Sequence, residues 1–213
     1  MNDNPSIVAI VEGDGEGKAA PGLIRRILWE RLFRYDIFLN RTIRANGKPD
    51  LVRNLEQFLE YAIVENADAI LVLVDADDEC PAESARNLAD RASALNLGVP
   101  VAVVYAKREY ETWFISSLPE GPGGRIRAML NIASSVNAPE DVEGIRGAKE
   151  WLEGRMPQNQ RYRETRDQES LTHHIDMDLT HSRSRSFRRL CHAVEELVGA
   201  IDESEAVVTP RVV

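Results

Sequence analysis

A chain of 213 residues with 43% hydrophobic and 29% charged side chains can bury a real core, as one large domain or as one domain with a smaller appendage. Its net charge of −9 excludes coating of nucleic acid by bulk electrostatics, but not an enzyme that gathers carboxylates around divalent ions. The polar, acidic start and the short apolar runs predict neither a signal peptide nor a membrane helix, and Cys80 and Cys191 lack metal or redox spacing, so free thiols in a reducing cytoplasm are expected.

The apolar run "SIVAIV" at Ser6–Val11 reads as a strand covered on both faces. The segment "EGDGEGKAAPG" that follows reads as a glycine-rich loop, and "GLIRRILWERLFR" as a helix with Leu23, Ile24, Ile27, Leu28 and Leu32 on one face. "YDIFLNRTI" predicts a second strand. Asp50 is placed to cap a helix over "LVRNLEQFLEYAIVE". "AILVLV" is a third, buried strand that ends at Asp75, "PAESARNLADRASALNLG" a helix opened by proline and closed by Gly98, "VPVAVVYA" a fourth strand and "EYETWFISSL" the start of another helix. From Pro119 a turn-rich junction leads into short helical patches around 125–133, 147–153 and 187–201, and the tail "DESEAVVTPRVV" reads as a frayed end. Strands alternating with helices of this length imply an α/β fold with a parallel sheet and right-handed crossovers.

Ligands of such sheets bind beyond the carboxyl ends of the strands. Glu12, Asp75 and the run from Lys107 to Glu111 each follow a strand directly, so three acidic clusters converge on one rim. The opening glycines do not form a nucleotide loop. Counting back from Gly17-Lys18, Glu12 stands where a Walker loop needs glycine and Ala19 where it needs a hydroxyl. Lys18 likewise breaks the dinucleotide pattern. On an extended chain, Asp75 and Asp77 would face the same side, suiting a hard ion that takes carboxylate and phosphate oxygens. Glu109 and Glu111 share that spacing and read either as further ligands or as helix N-terminal acids. Arg155, Arg161, Arg163, Arg166, Arg183, Arg185, Arg188 and Arg189 form a C-terminal basic stretch suited to a nucleic-acid backbone, an acidic partner or plain solvent. The four histidines have no zinc-binding arrangement.

With Glu12-Gly13 closing the first strand and Asp75-Ala76-Asp77 a later one, the chain resembles the Toprim domain of topoisomerases, primases and several nucleases. The Glu12–Glu16 spacing looks most like the overcoming-lysogenization-defect (OLD) type of Toprim nuclease, which uses two metals. "EGDGE", "DADD", "KREYETWF", "GAKEWL", "RY", "DQ", "HIDM" and "SRSF" together are similar to an uncharacterised bacterial Toprim-like family, a domain of unknown function often encoded beside ATPases or among defence genes.

The resemblance implies a four-stranded parallel Toprim-like (Rossmann-like) sheet flanked by helices over residues 1–118, with a small, mainly α-helical addition over 119–213 packing on it. It implies one or two Mg2+ or Mn2+ ions held by Glu12, Glu16, Asp75 and Asp77, joined by Glu109 and Glu111. Glu12 would be the general acid or base, with Glu16, Lys107 and Lys149 also in catalytic roles. Arg183, Ser184, Ser186 and Arg188 would hold the substrate. Lys149, Tyr162, Gln168, Asp176, Ser184 and Ser186 match the family's C-terminal pattern, and would either complete the site or act as caps and a salt bridge. The expected activity is magnesium-dependent cleavage of DNA or RNA by the effector of a defence or repair system. A separate ATPase would be its partner, no membrane is involved, and a homodimer is compatible. The competing expectation is a catalytically silent Toprim-like module that acts through a protein partner.

Overall fold

The computed structural model describes residues 4–121 and 124–210. The parts of the expected acidic start, turn-rich junction and tail that fall on 1–3, 122–123 and 211–213 lie outside them.

The strands are β1 (Ser6–Val11), β2 (Phe38–Leu39), β3 (Ile43–Arg44), β4 (Ala69–Asp75), β5 (Val101–Ala106) and β6 (Val208–Thr209). All pair in parallel, in the order β2-β1-β4-β5-β6, with β3 also on β1. Among the described residues the sheet is therefore six-stranded rather than four-stranded. The predicted second strand is two short pieces. The predicted frayed tail instead supplies the edge strand β6, whose Thr209 is buried.

Side chains alternate across the strands. Ile7, Ala9, Val11, Leu71, Leu73, Ala102 and Val104 face one layer, formed by α1 (Asp14–Arg26) and α10 (Arg185–Glu203). Val8, Ile10, Val72, Val74, Val103 and Tyr105 face the other, formed by α2 (Lys48–Arg53), α3 (Leu55–Val64) and α4 (Pro81–Ala94). The C-terminal segment thus supplies half of one layer. Phe187 of α10 meets Trp113 edge-on, 5.5 Å between centroids, inside the same core. That places Trp113 and Phe114 of α5 (Thr112–Ser116) in the interior, fully buried.

Two helix boundaries differ from expectation. Helix α1 begins at Asp14, so only Glu12 and Gly13 separate it from β1, and most of the apparent glycine loop is helix. It runs on into a π-helical turn over Ile27–Arg31. The second predicted helix is broken at Asn54 and starts at Lys48 after Gly47. Asp50 is not its cap; the Asp50 carboxylate accepts from the Asn46 amide and from the Asn54 side chain. The remaining helices are α6 (Arg125–Met129), α7 (Ala148–Glu153), α8 (Glu169–Thr172) and α9 (Met177–Arg183), with a π turn over Glu164–Gln168 leading into α8. Among the described residues no helix is long and apolar enough to cross a membrane.

Candidate metal centre at the carboxyl rim of the sheet

Asp75 is the last residue of β4, and alternation turns it toward the layer of α1 and α10. There it meets Glu16, on the first turn of α1, and Glu111, which follows β5. The Glu12 side chain bends back, and its Oε1 accepts the main-chain N–H of Asp75, tying the end of β1 to the end of β4. The early start of α1 makes this possible, since it puts Glu16 on the first helical turn, only four residues after Glu12.

The C-terminal segment closes the cluster from above. Glu111 is wholly buried; its Oε1 accepts from the Tyr162 hydroxyl at 2.7 Å and, weakly, from Gln168 Nε2 at 3.5 Å. The same Gln168 amide donates to Glu16 Oε1 at 3.1 Å. Lys149 reaches in from α7 and pairs with Glu164 at 2.5 Å. Among the described residues, two buried oxygens of this cluster are left without a hydrogen-bond partner: Oε2 of Glu111 and Oε1 of Gln168.

Crowding of like charges in a dry place shows in the acidities. Burial, and then Glu111, Glu12 and Glu16, push the Asp75 carboxyl well above the ordinary range, against the pull of Lys149. Asp75 keeps a sliver of solvent contact as a residue, yet its carboxyl is enclosed by protein. Burial raises Glu12 to about 7, opposed by the Asp75 amide and helped by Glu16. Burial also raises Glu111 to about 7, against Lys149 and the Tyr162 hydroxyl. Burial alone would weaken the Lys149 ammonium, but Glu111 and Glu164 outweigh it and raise its pKa.

Glu12, Glu16, Asp75, Glu111 and Lys149 are therefore brought together. The other expected residues are not. Asp77 leaves the extended path, with φ 49°, and its exposed carboxylate pairs with Lys48 at 3.2 Å rather than facing the same way as Asp75. Lys48 also holds Glu79 at 2.9 Å. Glu109 accepts the Lys149 main-chain N–H at 3.2 Å, at the start of α7. Lys107 falls on the opposite face of the sheet, in a cavity beside α4. The expected substrate-binding set serves the fold instead. Arg183 donates to the Leu118 carbonyl at 2.6 Å, and Arg188 to the carbonyls of His181 and Ser182. Ser184 caps α10 by accepting the Phe187 amide at 3.0 Å, and Ser186 accepts from the Trp113 indole at 3.1 Å. Asp176 likewise caps α9.

Sequence reasoning missed Glu164 and Lys48, which carry no motif of their own, although the "RY" and "DQ" matches flanked Glu164 on either side. Among the described residues, no three His, Cys, Asp or Glu side chains stand ready-arranged to hold a metal ion. The donor chemistry nonetheless suits one. Four carboxylates from three strand ends, with one oxygen buried and unpartnered, match a hard cation such as Mg2+ or Mn2+.

Gly15 makes the close approach of α1 to the Glu164–Gln168 turn possible, because a Cβ there would clash with Gln168 Oε1 and crowd Glu164 Cβ at 3.1 Å. Gly15→Ala is expected to push Gln168 off Glu16 and Glu111 and to cost about 1–3 kcal/mol despite alanine's better helix propensity. Chemical denaturation of the two proteins checks this; an unchanged or higher stability would show that the contact is slack.

Comparison with curated proteins and with solved structures returns no match. A family model does match, over residues 11–195, from the end of β1 into α10 and so across every residue of the acidic cluster. The chain belongs to the family described as Domain of unknown function (DUF4276).

Proposed function

We propose that this protein is a Mg2+- or Mn2+-dependent phosphodiester hydrolase with a Toprim-like site, acting on DNA or RNA in the cytoplasm. It would be the effector partnered by a separate ATPase in a defence or repair system. The observation that carries the reading is the meeting of Glu12, Glu16, Asp75 and Glu111 at the carboxyl ends of β1, β4 and β5, with Oε2 of the buried Glu111 unpartnered. These four side chains would hold the ion or ions. The chemistry such a cation supplies when bound is polarisation of a phosphate oxygen and relief of charge on the scissile group.

The chain's own groups do the rest. Glu12 fixes one oxygen on the Asp75 amide and titrates near neutrality, so Oε2 can take or give a proton at working pH. Lys149 is a permanent cation at the mouth of the cluster, suited to a phosphate oxygen. Tyr162 and Gln168 fix the rotamer of Glu111.

The test is cleavage of single- and double-stranded DNA and RNA with Mg2+ or Mn2+, with and without any ATPase that the neighbouring genes encode, beside calorimetric titration of Mn2+. Expected are cleavage that is blocked by EDTA and Mn2+ binding that is lost in Glu12→Ala. Absence of cleavage on every substrate with both metals sinks the proposal.

One observation favours the silent module. Lys149 already brings a cation to the carboxylates, paired with Glu164, and no three-ligand set is ready-arranged among the described residues. Calorimetry decides between them, because the module predicts no Mn2+ binding at all.

A further inference from the structure

The outer edge of β5 is covered only in part. Strand β6 pairs with Val101 and Ala102, and beyond them no strand among the described residues lies alongside. The gap opens into a cavity of about 440 Å³, floored by Val103 and Tyr105 and walled by the first turns of α4 and α10. Four cations line it: Arg86 from α4, Lys107 after β5, and Arg185 and Arg189 from α10.

Among the described residues the lining holds a single carboxylate, Glu143, and it is already engaged. Its Oε1 accepts from the Ser184 hydroxyl and from the Ser186 amide, each at 2.7 Å. Arg189 pairs with Glu196 at 2.7 Å and donates to Thr209 at 3.1 Å. Among the described residues, the side chains of Arg86, Lys107 and Arg185 have neither a hydrogen bond nor an ion pair. In a chain of net charge −9, three unpaired cations facing one hollow repel each other and find no carboxylate there to answer them.

We propose that this cavity is a phosphate-binding site for a nucleotide-bearing ligand, separate from the acidic cluster and independent of whether that cluster is catalytic. Several cations at different angles suit a phosphate, whose oxygens point in several directions, better than a planar carboxylate; guanidinium forks bind it bidentately. The apolar wall of Pro81, Ala82 and Pro210 gives the sugar or base a surface to rest on. A cavity of this size takes about one nucleotide. The residues expected from the sequence to bind substrate, Arg183 and Arg188, are spent on main-chain carbonyls, while Arg185 and Arg189 of the same stretch reach this hollow.

Cys80 gives the test its handle. It is exposed on the cavity wall, whereas Cys191 is buried, so a thiol reagent on the native protein reports on Cys80. Labelling rates are measured in EDTA, which removes any part played by metal at the acidic cluster, with AMP, inorganic phosphate or a short single-stranded oligonucleotide. A fluorescent oligonucleotide gives affinities in parallel. At least threefold slower labelling by one of these ligands is expected, along with salt-sensitive binding. Affinity should drop tenfold or more in Arg185→Glu and in Arg86→Glu, two exposed positions whose reversal spares the core, and stay unchanged in Asp75→Asn. Protection by AMP marks a mononucleotide site, and protection by the oligonucleotide alone marks a backbone tract; either supports the proposal. No protection by any ligand, affinity indifferent to both reversals, or affinity lost in Asp75→Asn overturns it.

Discussion

Asp75→Asn is expected to reduce metal-dependent cleavage on the order of 100-fold or more while raising the melting temperature of the protein without metal. The two effects share one cause. The Asp75 carboxyl is enclosed beside Glu111, Glu12 and Glu16, so it serves as a ligand only by forcing a charge into a place that resists it. Asparagine keeps the shape and removes the charge. Losing one of a few carboxylate ligands costs at least as much as losing a group behind them, for which 10–100-fold is usual. Relief of about 1 kcal/mol of repulsion corresponds to about 2–4 °C for a chain of this size. Because burial and the neighbouring carboxylates make the Asp75 carboxyl hold its proton to higher pH than usual, the gain is smaller at pH 5 than above pH 8. Cleavage assays beside calorimetric scans at both pH values check this. Retained cleavage removes Asp75 from the site, and a lower melting temperature at high pH makes its charge structural rather than functional.

The second large effect is a fall in stability as the pH rises from 5 to 8. Glu12 and Glu111 titrate near 7 in the fold and near 4.5 in the unfolded chain. Between those values the folded state holds more protons, so stability is lost as pH rises through the window and levels off above it. For the buried Glu111 alone the difference corresponds to about 3 kcal/mol. Melting is therefore expected to drop on the order of 5–10 °C across the window in EDTA. Ion-paired acids such as Asp36, held down to about 2 by Arg34, act in the opposite sense but at lower pH, so they do not mask the trend. Added Mn2+ should restore stability at pH 8 and do little at pH 5, where protons hold the carboxylates. A melting temperature that is flat or rises from pH 5 to 8 would mean the carboxylates are not crowded as described.

Strand-end carboxylates were the most legible part of the site. Glu12 and Asp75 follow long apolar runs, and the rule that parallel sheets bind ligands at their carboxyl ends places them without further knowledge. Glu16 was found for a partly mistaken reason. The three glycines in "GDGEG" read as turn signals, yet from Asp14 onward they sit in α1, where Gly15 serves a contact with Gln168 that lies 153 positions further on. Such partners leave no periodic trace. Nor did Asp77, whose left-handed backbone breaks the alternation that should have aligned it with Asp75. Strand β6 is two residues long, too short for a pattern, and the arginine stretch could not reveal which guanidinium groups would be consumed by carbonyls.

The order of the chain has a consequence for synthesis. The β5 face that packs on α10 leaves the ribosome about 80 residues before Phe187 does, several seconds at ordinary elongation rates. During that interval the sheet presents an uncovered apolar layer, open to chaperones or to sticking. Lys149, Tyr162 and Gln168 also emerge after β5, so the acidic cluster receives its counter-charge and its lid only once all four of its carboxylates have been made. A nascent chain therefore carries strand-end carboxylates without the parts that organise them. The acidic cluster is thus assembled in two stages, its carboxylates first and the groups that organise them afterwards.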